Sequence, residues 1–165
     1  SDDGHKYRVE ELIKKFKVQI AVTDANGVGA TSAAYLTGKF PGIHWSCFYD
    51  TAENEKMKRG LKLLESNWQD NTSRVVISRL IEHKEAIQEF RNLHEIDIPL
   101  PTSDILEYID HIDNVIIEKM LDPKTGKEYE IVAKKGPDHY GHANVYARVG
   151  WKKIAQTKKY SMGVI

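Results

Sequence analysis

The sequence predicts an α/β domain with a central mixed five-stranded sheet, flanking helices and an additional β-hairpin before the last helix. Three observations carry this reading. Short apolar, β-branched runs alternate with stretches whose apolar residues recur at helical spacing. Gly and Pro punctuate the junctions. A chain of 165 residues, 41% of them hydrophobic, is long enough to bury one core without disulfides or structural zinc. The single cysteine, Cys47, excludes a disulfide framework and a Cys-based metal cluster, and it suits a reducing compartment. No apolar run approaches the roughly 20 residues of a membrane span, and the lysine-dotted start lacks the apolar stretch of a signal peptide. The expected organisation is a lead-in over 1–17, one domain over 18–151 and a basic tail over 152–165.

Each element follows from local pattern. Residues 10–17 form a short amphipathic lead-in. Residues 18–23 (VQIAVT) read as a buried strand that leaves at Asp24 into a loop holding Asn26-Gly27 and Gly29. Residues 31–37 and 43–49 are β-rich and separated by Gly38 and Pro41-Gly42, which predicts two more strands, antiparallel neighbours after the first. Over 52–68, Met57, Leu61, Leu64 and Trp68 fall at helical spacing. Residues 74–80 (RVVISRL) predict a strand, and 82–94 a helix with Ala86, Ile87, Phe90 and Leu93 on one face. Residues 97–101 are a Pro-bounded extended piece and 104–112 a further helix. Residues 115–121 pair with 127–133 as a hairpin around Asp122-Pro123-Lys124-Thr125-Gly126. Asp138 stands where the N-cap of a last helix belongs, with the helix running to about Val149 and a frayed tail over 152–159. Three strands followed by alternating helix and strand is the order a ribonuclease H type of sheet needs.

Charge is segregated. The 24 basic and 24 acidic residues cancel. Residues 1–79, however, balance at +2, residues 80–118 at −8 and residues 119–165 at +6. A uniformly basic nucleic-acid binder is excluded, whereas a polarised one, meeting phosphate through the last segment, is compatible. Lys134, Lys135, Arg148, Lys152 and Lys153 are its candidate contacts.

Two places have the residue types of a reaction centre. Asp24 ends an apolar strand before a Gly-containing loop, where it suits a divalent cation or equally a turn cap through Asn26-Gly27. In a helix starting at Asp138, His142 lies four residues on and His139 one, so a carboxylate and two imidazoles can share the side of its first turn. That set suits metal ligation or acid–base work, and equally an N-cap followed by surface histidines.

At these residues the chain resembles a family. Residues 24–36 (DANGVGATSAAYL) resemble the opening of the nuclease domain in large terminase subunits of tailed bacteriophages. Residues 134–147 (KKGPDHYGHANVYA) are similar to the signature that closes that domain, and residues 87–101 (IQEFRNLHEIDIPLP) to a segment that often precedes it. The resemblance spans about 18–151. It implies an RNase H-like, resolvase-related metal-dependent endonuclease cutting double-stranded viral DNA during genome packaging in the host cell cytoplasm, with two Mg²⁺ or Mn²⁺ ions. Asp24 would bridge the metals, Asp138 would ligate one, and His139 or His142 would be a second ligand, an orienter or a proton-transfer group. It also implies partners: an ATPase domain in a longer chain, a portal and a small terminase subunit. The phosphate loop of such an ATPase, G-x-x-x-x-G-K-S/T, does not occur here.

The family's middle acid is missing where it is expected, since RVVISRL ends on Ser78-Arg79. Glu82 and Asp50 are the nearest candidates, and each also suits a helix N-terminus. This gap motivates an alternative, a catalytically weak DNA-binding or docking module of the same fold. A third reading is a nucleotide- or cofactor-binding enzyme using the loop at 24–29, which a helix over 30–36 with its N-terminus facing a pocket would favour.

Overall fold

The structure is a computed structural model and describes residues 3–26, 29–92 and 102–162. In chain order its elements are α1 (Asp3–Phe16), β1 (Ala21–Asp24), α2 (Gly29–Lys39), β2 (His44–Tyr49), α3 (Glu53–Lys58), β3 (Ser66–Gln69), a 3₁₀ turn (Asp70–Thr72), β4 (Arg74–Ile77), α4 (Arg79–Arg91), α5 (Ser103–Asp113), β5 (Val115–Leu121), β6 (Glu128–Lys134) and α6 (His139–Met162). The protein is an α/β protein with a mixed sheet. The expected five-stranded sheet is corrected for the described residues: among them four strands form one sheet in the order β1-β2-β4-β3, and β5-β6 form a separate two-stranded sheet. The predicted extended piece at 97–101 lies outside the described residues. No helix among the described residues is long and apolar enough to cross a membrane.

The chain divides into two compact units. The first comprises Ser1–Phe48, Ser66–Ile77 and Tyr146–Ile165, the second Tyr49–Glu65 and Ser78–Val145, so α6 contributes to both. In the first unit β1 and β2 are parallel, Ala21 opposite His44 and Asp24 opposite Cys47. Parallel neighbours need a crossover, and α2 supplies it. The β-rich stretch 31–37 is therefore helix, not strand, and the first two strands are parallel rather than antiparallel. Ala33 and Leu36, three apart, are its buried residues, and it packs against α1 and β1. Threonine and tyrosine propensity loses here to tertiary packing. Gly29 makes the junction possible, because a Cβ there would stand 2.6 Å from the Asp24 carbonyl oxygen.

β1 begins later than the apolar run because α1 uses the preceding residues to terminate. Lys17 takes a left-handed φ of 48° and Val18 N–H bonds the Ile13 carbonyl at 3.1 Å. Residues 52–68 are not one helix. α3 stops at Lys58, Gly60 turns with φ 69°, Leu61 and Leu64 face solvent, and Trp68 lies on β3 opposite Val75. The spacing of those apolar residues thus marks no buried helical face. β4 ends at Ile77, and Ser78 caps α4, which starts three residues before the predicted point.

In the second unit β5 and β6 pair from Val115↔Lys134 to Leu121↔Glu128, one residue offset from the expected hairpin. α4 packs on both strands, α3 on β6 and α5 on β5. α6 does not fray at 152 but continues to Met162.

Candidate active site

The second unit gathers a chain of polar side chains at the start of α6. Asp138 immediately precedes the helix, and its carbonyl accepts the first helical bond from His142 N–H at 3.1 Å. Four residues make one turn, so the two side chains meet: Asp138 Oδ2 lies 3.1 Å from His142 Nε2. The other oxygen, Oδ1, lies 3.5 Å from Lys134 Nζ. His142 Nδ1 lies 2.6 Å from Oη of Tyr49, the last residue of β2. His83 of α4 stacks beside Tyr49 with its Nε2 3.4 Å from the same hydroxyl, and its ring meets His142 edge-on with centroids 4.8 Å apart. The Arg79 guanidinium carbon is 5.5 Å from the Tyr49 ring centroid.

Local rules hold these groups in place. Ser78 Oγ accepts Ile81 N–H at 3.1 Å and Glu53 Oε1 accepts Leu80 N–H at 3.0 Å, so two donors at the N-terminus of α4 are satisfied and the helix carrying Arg79 and His83 is anchored. Asn114 donates to the Pro137 carbonyl at 3.0 Å and accepts Lys135 N–H on its own carbonyl at 2.9 Å, fixing the chain that enters α6. At Gly141 a Cβ would stand 2.8 Å from Val115 Cγ2, so the first turn of α6 needs glycine to lie this close to β5.

The electrostatics give each group a direction. Burial alone would raise the Asp138 carboxyl, but the charges of His142 and Lys134 and their hydrogen bonds hold it below the usual carboxylate value. An ionised Asp138 only accepts, so His142 Nε2 carries a proton toward it; with Nδ1 unprotonated, that nitrogen's lone pair faces Tyr49 O–H. His83 is pushed down to about 3 by burial, reinforced by His142 and Arg79, and is therefore neutral at physiological pH. The set is a hydroxyl, a base and an orienting carboxylate, the arrangement that activates a nucleophile or passes a proton.

The predicted residues separate into groups. Asp138 and His142 are brought together. His139 diverges from them: α6 docks on α5 through Tyr140 N–H to His111 Nδ1 at 3.4 Å, and the His139 ring lies 5.9 Å from that of His111. Glu82 is fully buried in the first turn of α4. Asp50 binds Lys56 and accepts Ala52 N–H at 2.9 Å; the lysine comes first in holding its carboxyl low. Ser78 serves as the cap described above. In the first unit, Asp24 Oδ1 accepts from Asn26 N–H at 3.0 Å and Asn26 Nδ2 at 2.9 Å, a turn cap. Asp24 also lines a cavity of about 320 Å³ with His5, Lys6, Gly29 and Ser32. Of the candidate DNA contacts, Lys134 and Lys135 are exposed, whereas Arg148 and Lys152 are half-buried. Lys153 is engaged by Asp70 at 3.0 Å and lies over the Trp45 and Trp68 rings.

Both ring nitrogens of His142 and both oxygens of Asp138 are thus spent on neighbours within the cluster. Among the described residues no group of three or more His, Cys, Asp and Glu side chains is placed to hold a metal ion. As arranged, the donors of this cluster do not fit a two-metal site. Sequence reasoning missed Tyr49, His83 and Arg79. Their only signal is position: Tyr49 ends a strand, and the other two flank the first turn of a helix. The chain matches no family model, no curated protein and no solved structure.

Proposed function

We propose that this chain is an endonuclease domain that cleaves phosphodiester bonds of double-stranded DNA, with His142 as its proton-transfer group. The observation that carries this reading is the His142 imidazole held between Tyr49 Oη and the Asp138 carboxylate. General acid–base groups of this kind contribute about 10²- to 10⁴-fold to rate. An anionic substrate is favoured by Lys134 and Arg79 beside the cluster and by the positive balance of residues 119–165. The resemblance to terminase nuclease domains supports DNA over a small phosphate ester and genome packaging as the setting, and it makes Mg²⁺ or Mn²⁺ the cations to include in an assay.

Supercoiled plasmid incubated with the protein and Mg²⁺, Mn²⁺ or EDTA tests the reading. Nicking by the wild type is expected, reduced at least 100-fold in Asp138→Asn, in which the orienting carboxylate is lost. Equal cutting by Asp138→Asn removes the assignment. Salt-sensitive DNA binding without cutting supports the docking module instead.

A second reading concerns the first unit. The helix over 29–39 follows β1 directly, and its first turn lines the cavity shared by Asp24, Lys6 and His5. This is a nucleotide- or phosphate-binding arrangement at the carboxyl end of a parallel strand. Saturable binding of a nucleoside triphosphate in equilibrium dialysis, lost in Ser32→Arg, is expected; no saturation removes this reading.

A further inference from the structure

We infer that Tyr49 is the nucleophile of this site and that strand cleavage passes through a covalent phosphotyrosyl link between the chain and DNA. This rests on the phosphodiester reading above and specifies its mechanism. If His142 activated water directly, its accepting nitrogen would face solvent. Instead Nδ1 lies on the Tyr49 hydroxyl at 2.6 Å, so the proton it is placed to take is the phenol's. The base is oriented by Asp138 at 3.1 Å, which completes the order nucleophile, base, orienter. The environment of Tyr49 suits the negative charge that develops: the Arg79 guanidinium lies over its ring, and His83 Nε2, 3.4 Å from its oxygen, can donate to it in the tautomer protonated at that nitrogen. Tyr49 is half-buried rather than sealed, whereas Asp138 behind it is only 5% exposed. Of these two residues Tyr49 is the more exposed.

The step balances without an oxidant or cofactor. Tyr49 Oη bonds to phosphorus as its proton passes to His142 Nδ1, and the bond from phosphorus to one deoxyribose oxygen breaks. In-line displacement puts that leaving oxygen on the side away from Tyr49 and His142, so water protonates it. A second water, attacking in line from the side the deoxyribose oxygen left and losing its proton to bulk water, then hydrolyses the phosphotyrosyl ester, while His142 returns the proton from Nδ1 to Tyr49 Oη and restores the phenol. Attack by the freed deoxyribose hydroxyl reverses the first step and reseals the strand.

The test is to quench a reaction of the 165-residue protein with end-labelled duplex DNA in SDS and separate it without proteolysis. Label migrating with the protein and released by proteinase K is expected, with mass spectrometry placing the nucleotide on the Tyr49 peptide. Labelling opposite ends shows which side of the break is joined. Tyr49→Phe, which keeps the ring, is expected to lose the adduct and at least 100-fold of cleavage while retaining DNA binding. His142→Ala is expected to lose both adduct and cleavage. Cleavage by the wild type with no adduct in a single turnover overturns the nucleophile and leaves the endonuclease reading intact, as does undiminished cleavage by Tyr49→Phe. Absence of any cleavage by the wild type overturns both.

Discussion

In the first unit His44 lies on β2 with no exposed surface, its Nε2 2.9 Å from Thr23 Oγ1 and its Nδ1 2.9 Å from Thr37 Oγ1. In the second unit His142 also has both nitrogens engaged, but by a phenol and a carboxylate, and 22% of its side chain is exposed. Both rings have both nitrogens engaged and are suited to opposite tasks. Neutral hydroxyls and full burial stabilise an uncharged ring, and burial pushes His44 down to about 4. The carboxylate behind His142 can stabilise an imidazolium at the moment a proton arrives, and the phenol in front can supply it. Engagement of both nitrogens does not itself mark a reactive histidine; the charge of the partners and a route to substrate do.

The sharpest way to break the comparison is to delete each ring. His142→Ala should lower plasmid cleavage by about 10²- to 10⁴-fold with little change in urea midpoint. His44→Ala should leave cleavage per folded molecule unchanged but cost roughly 2–3 kcal/mol in urea denaturation, since it strips partners from two threonine hydroxyls and opens a cavity. Loss of activity in His44→Ala at unchanged stability would reverse the assignment.

Acid sharpens the contrast next. The folded pKa of His44, about 4, lies below its ordinary 6.5, so the unfolded chain binds the proton first. Stability is full above pH 6.5 and declines as pH falls toward 4, by on the order of 3 kcal/mol at the limit. His83, held near 3 mainly by burial, adds a decline of the same sign in the second unit. Urea midpoints across this range should flatten in His44→Gln; a slope identical to wild type would show that His44 is not the source. Glu10 titrates lower. Hydrogen bonds from Lys14, Lys39 and Tyr35 hold it at about 2, so the tie it makes between α1 and α2 is present above pH 4.5 and lost toward pH 2.

The smallest expected effect tests the anchoring of the helix that carries Arg79 and His83. Ser78→Ala removes the cap of α4 and should cost about 1 kcal/mol, read as faster amide exchange in the first turn of that helix. Unchanged exchange would mean that Glu53 on Leu80 N–H suffices to anchor it.

Legibility followed the range of the interactions. The hairpin of β5 and β6 and the helix α5 stand close to where turn residues and apolar spacing predict them, because their signals are local. The Asp138–His142 pair was legible for the same reason, being one helical turn apart. Residues 31–37 read as strand on the β propensity of Thr31, Tyr35 and Thr37, although Ala33, Ala34 and Leu36 favour helix, and only the parallel pairing of β1 with β2 demands a helix there. The apolar spacing over 52–68 marks no helix for the converse reason: α3 is only 6 residues long, Gly60 turns the chain just after it, and Trp68 finds its partner on β4.

The sequence by itself determined the α/β class, the segregation of charge and the carboxylate–imidazole pair at the head of the last helix, all consequences of composition and of spacing within about four residues. Only the tertiary structure decided that two strands are parallel, that among the described residues four strands form one sheet and the hairpin is a sheet of its own, and that Tyr49 meets His142 across 93 positions of chain. The physical reason is that a hydroxyl becomes reactive through the base beside it, and that neighbour is chosen by packing, not by sequence distance.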